Sequence, residues 1–298
     1  MCTTLKFYPA EPALYLEDIM ATPISIQLFS LRDQASQDLE GTLAKIAEFG
    51  YDGVEPYTFW DYKPAEFKKI CDKFGLKITS FHTGLENYIN FGIEQTCAER
   101  IEAGCEVVAF PYLCGGYHAG QEHYEETKEM CAKIIEIYQK EGIELLFHNH
   151  EGDAYPCDEE PRGHMQALFA DTGVNPEADT AWLLAAGINP VEFMNEYKGR
   201  VRAIHIKDFG YYGKIPSRIC KAAGRYDAWN DNCDTFNGVN FEFRTLGQGI
   251  HDIAATVKAA VEVGGCKHVI VEQDNPTPGK DVFLCAKQNI EFLRTFEF

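Results

Sequence analysis

The sequence predicts an α/β protein folded as a single (β/α)8 barrel. Three observations carry that prediction: short apolar runs rich in β-branched residues alternate with segments of helical spacing, the alternation repeats eight times, and ionisable residues close the strands. At 298 residues the chain has the length that one such barrel fills. The competing arrangement, a doubly wound open sheet, asks for a phosphate-cradling loop after the first strand. Ser30-Leu31-Arg32-Asp33 stands there instead, with neither G-x-G-x-x-G nor G-x-x-x-x-G-K-[ST]. No repeat beyond the alternation, no low-complexity tract and no Pro/Ser-rich linker divides the chain. Residues 24–298 are therefore read as one domain behind an N-terminal arm, 1–23.

The first strand is Ile24 to Phe29. The helix after it, Leu39 to Phe49, sets Leu43, Ile46 and Ala47 at helical spacing before Gly50 offers a left-handed cap. Gly53 to Tyr57 is the second strand, followed by a helix from Pro64 to Phe74 with Gly75 as its stop. Lys77 to His82 is the third strand, Cys97 to Ala103 ends the next helix, and Glu106 to Tyr112 is the fourth strand. A longer helix, Glu122 to Glu141, shows Met130, Ile134, Ile135 and Tyr138 on one face, stops at Gly142 and leads into the fifth strand, Ile143 to His148. A helix at Gly163 to Ala170 precedes a sixth strand that ends near Asp179. One at Val191 to Tyr197 precedes the seventh, Arg202 to Ile206. The eighth unit has a helix from Ile253 to Val263, a strand from Lys267 to Glu272 and a closing helix from Val282 to Phe296.

Between the last two strands lies Phe209 to Gly249, irregular and rich in Gly, Asn, Asp and aromatics. Loops of that length in a compact domain are functional or disordered. It is read as a lid over the barrel mouth, with Tyr211, Tyr212, Tyr226, Trp229 and Phe236 supplying aromatic surface to close over a sugar.

Lys and Arg number 27 against 46 Asp and Glu, a net charge of −19. A polyanion is held by clustered cations that release its counterions, so nucleic acid and anionic membranes are rejected as partners. Hydrophobic content of 45% with 24% charged residues describes a packed globular chain. The 11 cysteines are scattered without a C-x-x-C pair and predict reduced thiols in a cytoplasmic protein. Residues 1 to 20 carry Glu11, Glu17 and Asp18 and no signal-like apolar run, and no stretch approaches a membrane span.

Barrel chemistry sits at the C-terminal ends of the strands. Those ends carry Gln27, Glu55, His82, then His148 and His150, Asp179, His205 and Lys207, and Glu272, from strands one, two, three, five, six, seven and eight. Side chains alternate along a strand, so His148 shares a face with His150, and His205 with Lys207. His148, Asp179, His205 and Glu272, converging from strands five to eight, make a ligand set for one divalent metal. Mixed imidazole and carboxylate donors suit Mn, Co, Zn or Fe better than Ca or Mg.

Such a metal, chelated by a carbonyl and its neighbouring hydroxyl, spreads the charge left by a departing proton as an enediolate. Glu272 is then a general base, with Glu55 and His150 as rivals because metal ligation lowers a carboxylate's basicity. Lys207 stabilises the enediolate oxygen or a phosphate, or simply pairs with Asp208. Gln27, His82 and Trp182 are candidate substrate-binding residues, Trp182 either stacking on a sugar or packing in the core. Gly247-Gln248-Gly249 reads as a turn into the next helix, capped by Asp252.

The segments ISIQLFSLRD (24–33), FGYDGVEPY (49–57), FHNHE (147–151), HIKDF (205–209), LGQGIHD (246–252) and VIVEQDN (269–275) resemble the xylose isomerase-like TIM-barrel superfamily. More narrowly, they resemble its sugar phosphate isomerase/epimerase branch. The resemblance implies a divalent metal at the barrel mouth with the substrate's neighbouring oxygens on it, and Asp179, His205 and Glu272 match its pattern. His148 departs from it, since the epimerases usually place a Glu on strand five as both ligand and acid/base. His150 or Glu151 can substitute, and the choice between His148 and His150 as ligand stays open.

The implied function is a metal-dependent sugar or sugar phosphate isomerase/epimerase working through an enediolate-type intermediate on a small-molecule carbohydrate, with a homo-oligomer possible. A lyase or dehydratase on a keto-sugar, keto-inositol or 3-keto-glycoside is the alternative, and an inactive sugar-binding barrel the third. Abasic-site DNA cleavage, which also occurs in the superfamily, is disfavoured by the net charge of −19. With few Lys or Arg near the strand ends, uncharged sugars are expected to be turned over at least as well as sugar phosphates. Replacing His205 by Ala is expected to remove metal and activity while leaving the fold, a strand-end position contributing little to a core.

Overall fold

The computed structural model of the protein describes residues 22–155, 160–211, 215–216, 219, 222, 229–230, 241–296 and 298. Its eight-stranded parallel sheet consists of β1 (Ile24–Gln27), β2 (Gly53–Glu55), β3 (Lys77–Ile78), β4 (Val107–Phe110), β5 (Glu144–His148), β6 (Asn175–Asp179), β7 (Ala203–Ile206) and β8 (His268–Val271). The neighbour order is β3-β2-β1-β8-β7-β6-β5-β4. The two ends of that order meet: Val107 N donates to Thr79 O at 3.3 Å, Ala109 N to Phe81 O at 3.0 Å and Thr83 N to Ala109 O at 2.8 Å. Backbone donors at both margins are thereby paired, which is what closing a sheet achieves. The predicted (β/α)8 barrel is the fold.

Apart from the exposed Lys77 that opens β3, the strand residues are buried or half-buried, as a parallel sheet under helices requires. Ile26, Val54, Ile78, Val108, Leu145, Phe147, Ala178, Ile204, Val269 and Val271 join one core with the helices outside. The inward residues Val107, Ala109, Leu146, Ala203 and Ile270 form a separate apolar plug within the barrel. Alternation then carries each inward file upward from that plug into polar residues: Leu146-His148-His150, Ala203-His205-Lys207 and Ile270-Glu272-Asp274.

The helices begin and end for local reasons. Asp38 accepts from Gly41 N at 2.9 Å to start Leu39–Phe49, which buries Leu39, Thr42, Leu43 and Ile46. Gly50, at φ 95°, stops it in the left-handed conformation that a side chain resists. At Gly53 an added Cβ would stand 2.6 Å from Lys77 O, so the close β2–β3 approach needs glycine.

Several predicted boundaries shift. The third strand is regular only over Lys77–Ile78, with His82 bridging Ala109, and the fourth over Val107–Phe110, short of Tyr112. The helix before β4 starts earlier, at Ile93, behind an unpredicted one at Leu85–Phe91, and Ile253–Ala259 passes into a π-helical turn over Ala260–Gly264. Asp208–Tyr211 and Phe241–Arg244, read from sequence as irregular, form an antiparallel ribbon whose Phe209, Phe241 and Phe243 pack on Trp182. Tyr212, Tyr226 and Phe236 of the expected lid lie outside the described residues, as does the arm up to residue 21. Cys71, Cys97, Cys105, Cys114, Cys131, Cys266 and Cys285 are free thiols. Among the described residues no helix is long and apolar enough to cross a membrane.

Candidate metal centre and substrate cavity

Above the apolar plug the inward files of β2, β5, β6, β7 and β8 bring Glu55, His148, Glu177, Asp179, His205 and Glu272 together, joined by His82 from beyond β3. All seven are buried. The cluster has an inner and an outer half. In the inner half His82 Nε2 lies 2.7 Å from Glu177 Oε2, and His205 Nε2 2.6 Å from Glu55 Oε2. Gln27 Nε2 donates to the same Glu55 oxygen at 2.7 Å.

The outer half is His148, Asp179, His205 and Glu272, each offering one ligand atom within 4.8 Å of the others. This is the set expected from the sequence, and His148 rather than His150 belongs to it. An alternative group, His82, His148, Glu177 and His205, satisfies the same distance. Its His82–Glu177 pair is already a hydrogen bond. The outer half has its own hydrogen bond, His205 Nδ1 to Glu272 Oε2 at 2.8 Å, but its Asp179 Oδ2 is buried with no hydrogen-bond partner. Asp179 Oδ2 is within 3.1 Å of Lys207 Nζ, an ion-pair contact without hydrogen-bond alignment. Buried polar atoms left in that state mark a place for a ligand, and two imidazoles with two carboxylates fit a divalent transition metal. The outer four residues would hold it.

Charge balance tunes these groups. Burial would raise Glu272, but the Lys207 ammonium and the His205 imidazole outweigh it and hold the carboxyl well below its usual range. His205 moves the other way: burial lowers it, yet the carboxylates of Glu55 and Glu177 carry it well above an ordinary imidazole. Burial pushes Asp179 up to about 6, partly offset by Lys207 and His205. Lys207 is fully buried and reaches Glu272 Oε2 at 2.7 Å, Asp179 Oδ2 at 3.1 Å and Asp274 Oδ2 at 3.1 Å. It does not pair with Asp208, whose oxygens accept instead from Phe209 N, Gly249 N and His251 N.

A cavity of about 440 Å³ opens over the cluster, lined by His82, His148, His150, Glu272 and Asp274 together with Phe29, Tyr57, Glu86 and Tyr112. His150 stands at its wall with 46% of its side chain exposed. Partial desolvation of the ring and the nearby Lys207 charge lower its pKa, which favours the neutral imidazole at pH 7.

Three expected site residues are placed elsewhere. Gln27 and Glu55 are fully buried in the inner half of the cluster rather than at the cavity wall, and Trp182 packs against the aromatic ribbon with its ring 5.3 Å from Lys207 Nζ. Glu177 was not anticipated. It stands two residues before Asp179 on β6 and so shares its face, and that alternation was the available clue. Asp274, two beyond Glu272, was missed in the same way.

Glu177 stands beside two imidazoles of the outer set, 3.6 Å from His148 Nδ1 and 3.4 Å from His205 Nε2. Carboxylates behind ligand histidines fix the ring and its tautomer. Glu177→Gln is therefore expected to weaken divalent-metal affinity by about 10- to 100-fold, read by competition with a chromogenic chelator. An unchanged affinity would reject this role.

The family model for the xylose isomerase-like TIM barrel matches residues 43–296. An inosose dehydratase from Geobacillus kaustophilus is 24% identical over 199 residues, spanning 60% of this chain and 64% of that protein. A sugar phosphate isomerase/epimerase structure from Parabacteroides distasonis superimposes with a TM-score of 0.67 at 21% identity, covering 93% of this chain and 95% of that one. A xylose isomerase-like TIM barrel protein from Mycobacterium smegmatis in complex with magnesium gives 0.62 at 14% identity, covering 92% and 95%. At these identities the solved structures speak for the fold.

Proposed function

The chain belongs to the xylose isomerase-like TIM-barrel family, and from that premise we propose that it is a divalent-metal-dependent lyase. Its substrate in this reading is a polyhydroxy ketone, a keto-sugar or keto-inositol or a glycoside of one. The observation that carries it is the division of labour at the cavity: His150 is a neutral imidazole on the wall, whereas Glu272 and Asp274 are both tied to Lys207. Inverting a centre takes two opposed acid/base groups. A β-elimination takes one base that can hand its proton to the departing oxygen.

His150 accepts the proton from the carbon beside the carbonyl. The C–H electron pair becomes the new C=C bond, the C–O bond to the β-substituent breaks, and the His150 imidazolium protonates the departing oxygen. His148, Asp179, His205 and Glu272 would hold a divalent ion, which would supply Lewis acidity at the carbonyl. Lys207 orients Asp179, Glu272 and Asp274 through its three ion pairs. The dehydratase name of the Geobacillus kaustophilus relative supports this ending.

Isomerisation or epimerisation is the second reading, favoured by Asp274. That carboxyl faces the cavity, and burial raises it above its usual value despite Lys207. Incubating metal-loaded protein with a keto-inositol and a 3-keto-glucoside in D2O separates the two. Elimination yields a conjugated enone absorbing in the ultraviolet. Recovered substrate that carries deuterium, with no enone formed, would reject the lyase in favour of the isomerase.

A further inference from the structure

The cavity has room for more than one sugar ring, and its lining is of two kinds. At roughly 30 Å³ per liquid water its volume of about 440 Å³ corresponds to about fifteen waters, and bonded atoms pack more tightly than water does. Beside the polar residues of the cluster it is walled by Phe29, Tyr57, Pro111 and Tyr112. Phe29 and Tyr112 leave 39% and 46% of their surface exposed.

These rings are held in place. Phe29 and Tyr57 meet edge to face with centroids 5.5 Å apart. The Arg32 guanidinium stacks 4.5 Å from the centroid of Phe29, and its Nη1 is bound to the carbonyls of Phe29 and Asp274. The Tyr112 hydroxyl donates to Glu86 Oε1 at 2.6 Å. Neither Lys nor Arg is among the lining residues, while Glu86, Glu272 and Asp274 are.

From this arrangement we infer that these aromatic walls form a subsite for a flat aromatic substituent, so that the substrate is an aryl-bearing glycoside ketone and not a free or phosphorylated sugar. The inference rests on the lyase reading only for the keto group. Rigid aromatic walls gain by stacking on another ring, and among the described residues no Lys or Arg lines the cavity to receive a phosphate.

The test measures binding and turnover separately. Phenyl glucoside, methyl glucoside and glucose 6-phosphate, none of which carries the keto group, are titrated calorimetrically into metal-loaded protein, its Phe29→Ala/Tyr112→Ala variant and its Tyr112→Phe variant. Phenyl glucoside is expected to bind at least tenfold tighter than methyl glucoside to the parent and to Tyr112→Phe, with that preference lost in the double variant. Glucose 6-phosphate is expected to bind most weakly. Equal affinity for phenyl and methyl glucoside, a preference that survives the double substitution, or tighter binding of the phosphate would each overturn the subsite. Elimination from keto-substrates is scored in parallel. Aryl preference without elimination rejects the lyase alone, and elimination without aryl preference rejects the subsite alone.

Discussion

His205→Ala is expected to abolish divalent-metal binding and turnover together, and to destabilise the metal-free protein by about 3–5 kcal/mol, the usual cost of stripping one partner from a buried charge cluster. The sequence placed His205 at a strand end and suggested that its loss would spare the fold. The structure places it at the barrel centre with no exposed surface, hydrogen-bonded to Glu272 at 2.8 Å and to Glu55 at 2.6 Å. Removing the imidazole takes from Glu55 and Glu272, both buried, one of the donors that balance their charge. The metal loss follows from taking one of four donors. Metal content after dialysis and urea denaturation of the apo proteins check the two halves independently. A variant that retains parental metal content would refute the ligand assignment, and one as stable as the parent would refute the charge argument.

His150→Phe is expected to lower kcat by about 10²- to 10⁴-fold, the range a positioned acid/base contributes, with metal content unchanged. Phe keeps a ring at the wall, so loss of packing cannot account for the fall, and His150 lies outside the four-donor set. The pH profile supplies a second signature. A base must be unprotonated to act, so the parental rate is full above the His150 pKa and falls as pH drops through about 4, and a bound dication moves that limb lower still. A kcat within tenfold of the parent would transfer the base role to Asp274 and with it favour the isomerase reading.

Much of this protein was legible along the chain because its information is periodic. Alternating apolar runs and helical faces, with Gly50, Gly75 and Gly142 as stops, determine eight β/α units. Period-two alternation determines that His148, Asp179, His205 and Glu272 face the axis. Alternation says which way a side chain points but not how far up the barrel it sits. That height depends on the stagger between strands, a property of closure and not of any local segment. Here His148 is level with Glu177 on β6, whereas His205 is level with Asp179 on the same strand and with Ile270 on β8.

The stagger sets Glu55 and Gln27 in the inner half of the cluster and brings Glu177 beside the imidazoles of His148 and His205. It also lifts His150 and Asp274 to the cavity and sets Lys207 among three carboxylates away from its neighbour Asp208. Trp182 was settled by a longer-range event, the pairing of Asp208–Tyr211 with Phe241–Arg244 some thirty residues on, which built an aromatic surface for it to join. The chain by itself determined which residues meet the barrel axis. Closure of the sheet decided which of them gather into the four-donor cluster, which pack against it and which line the cavity, because only closure assigns each a depth.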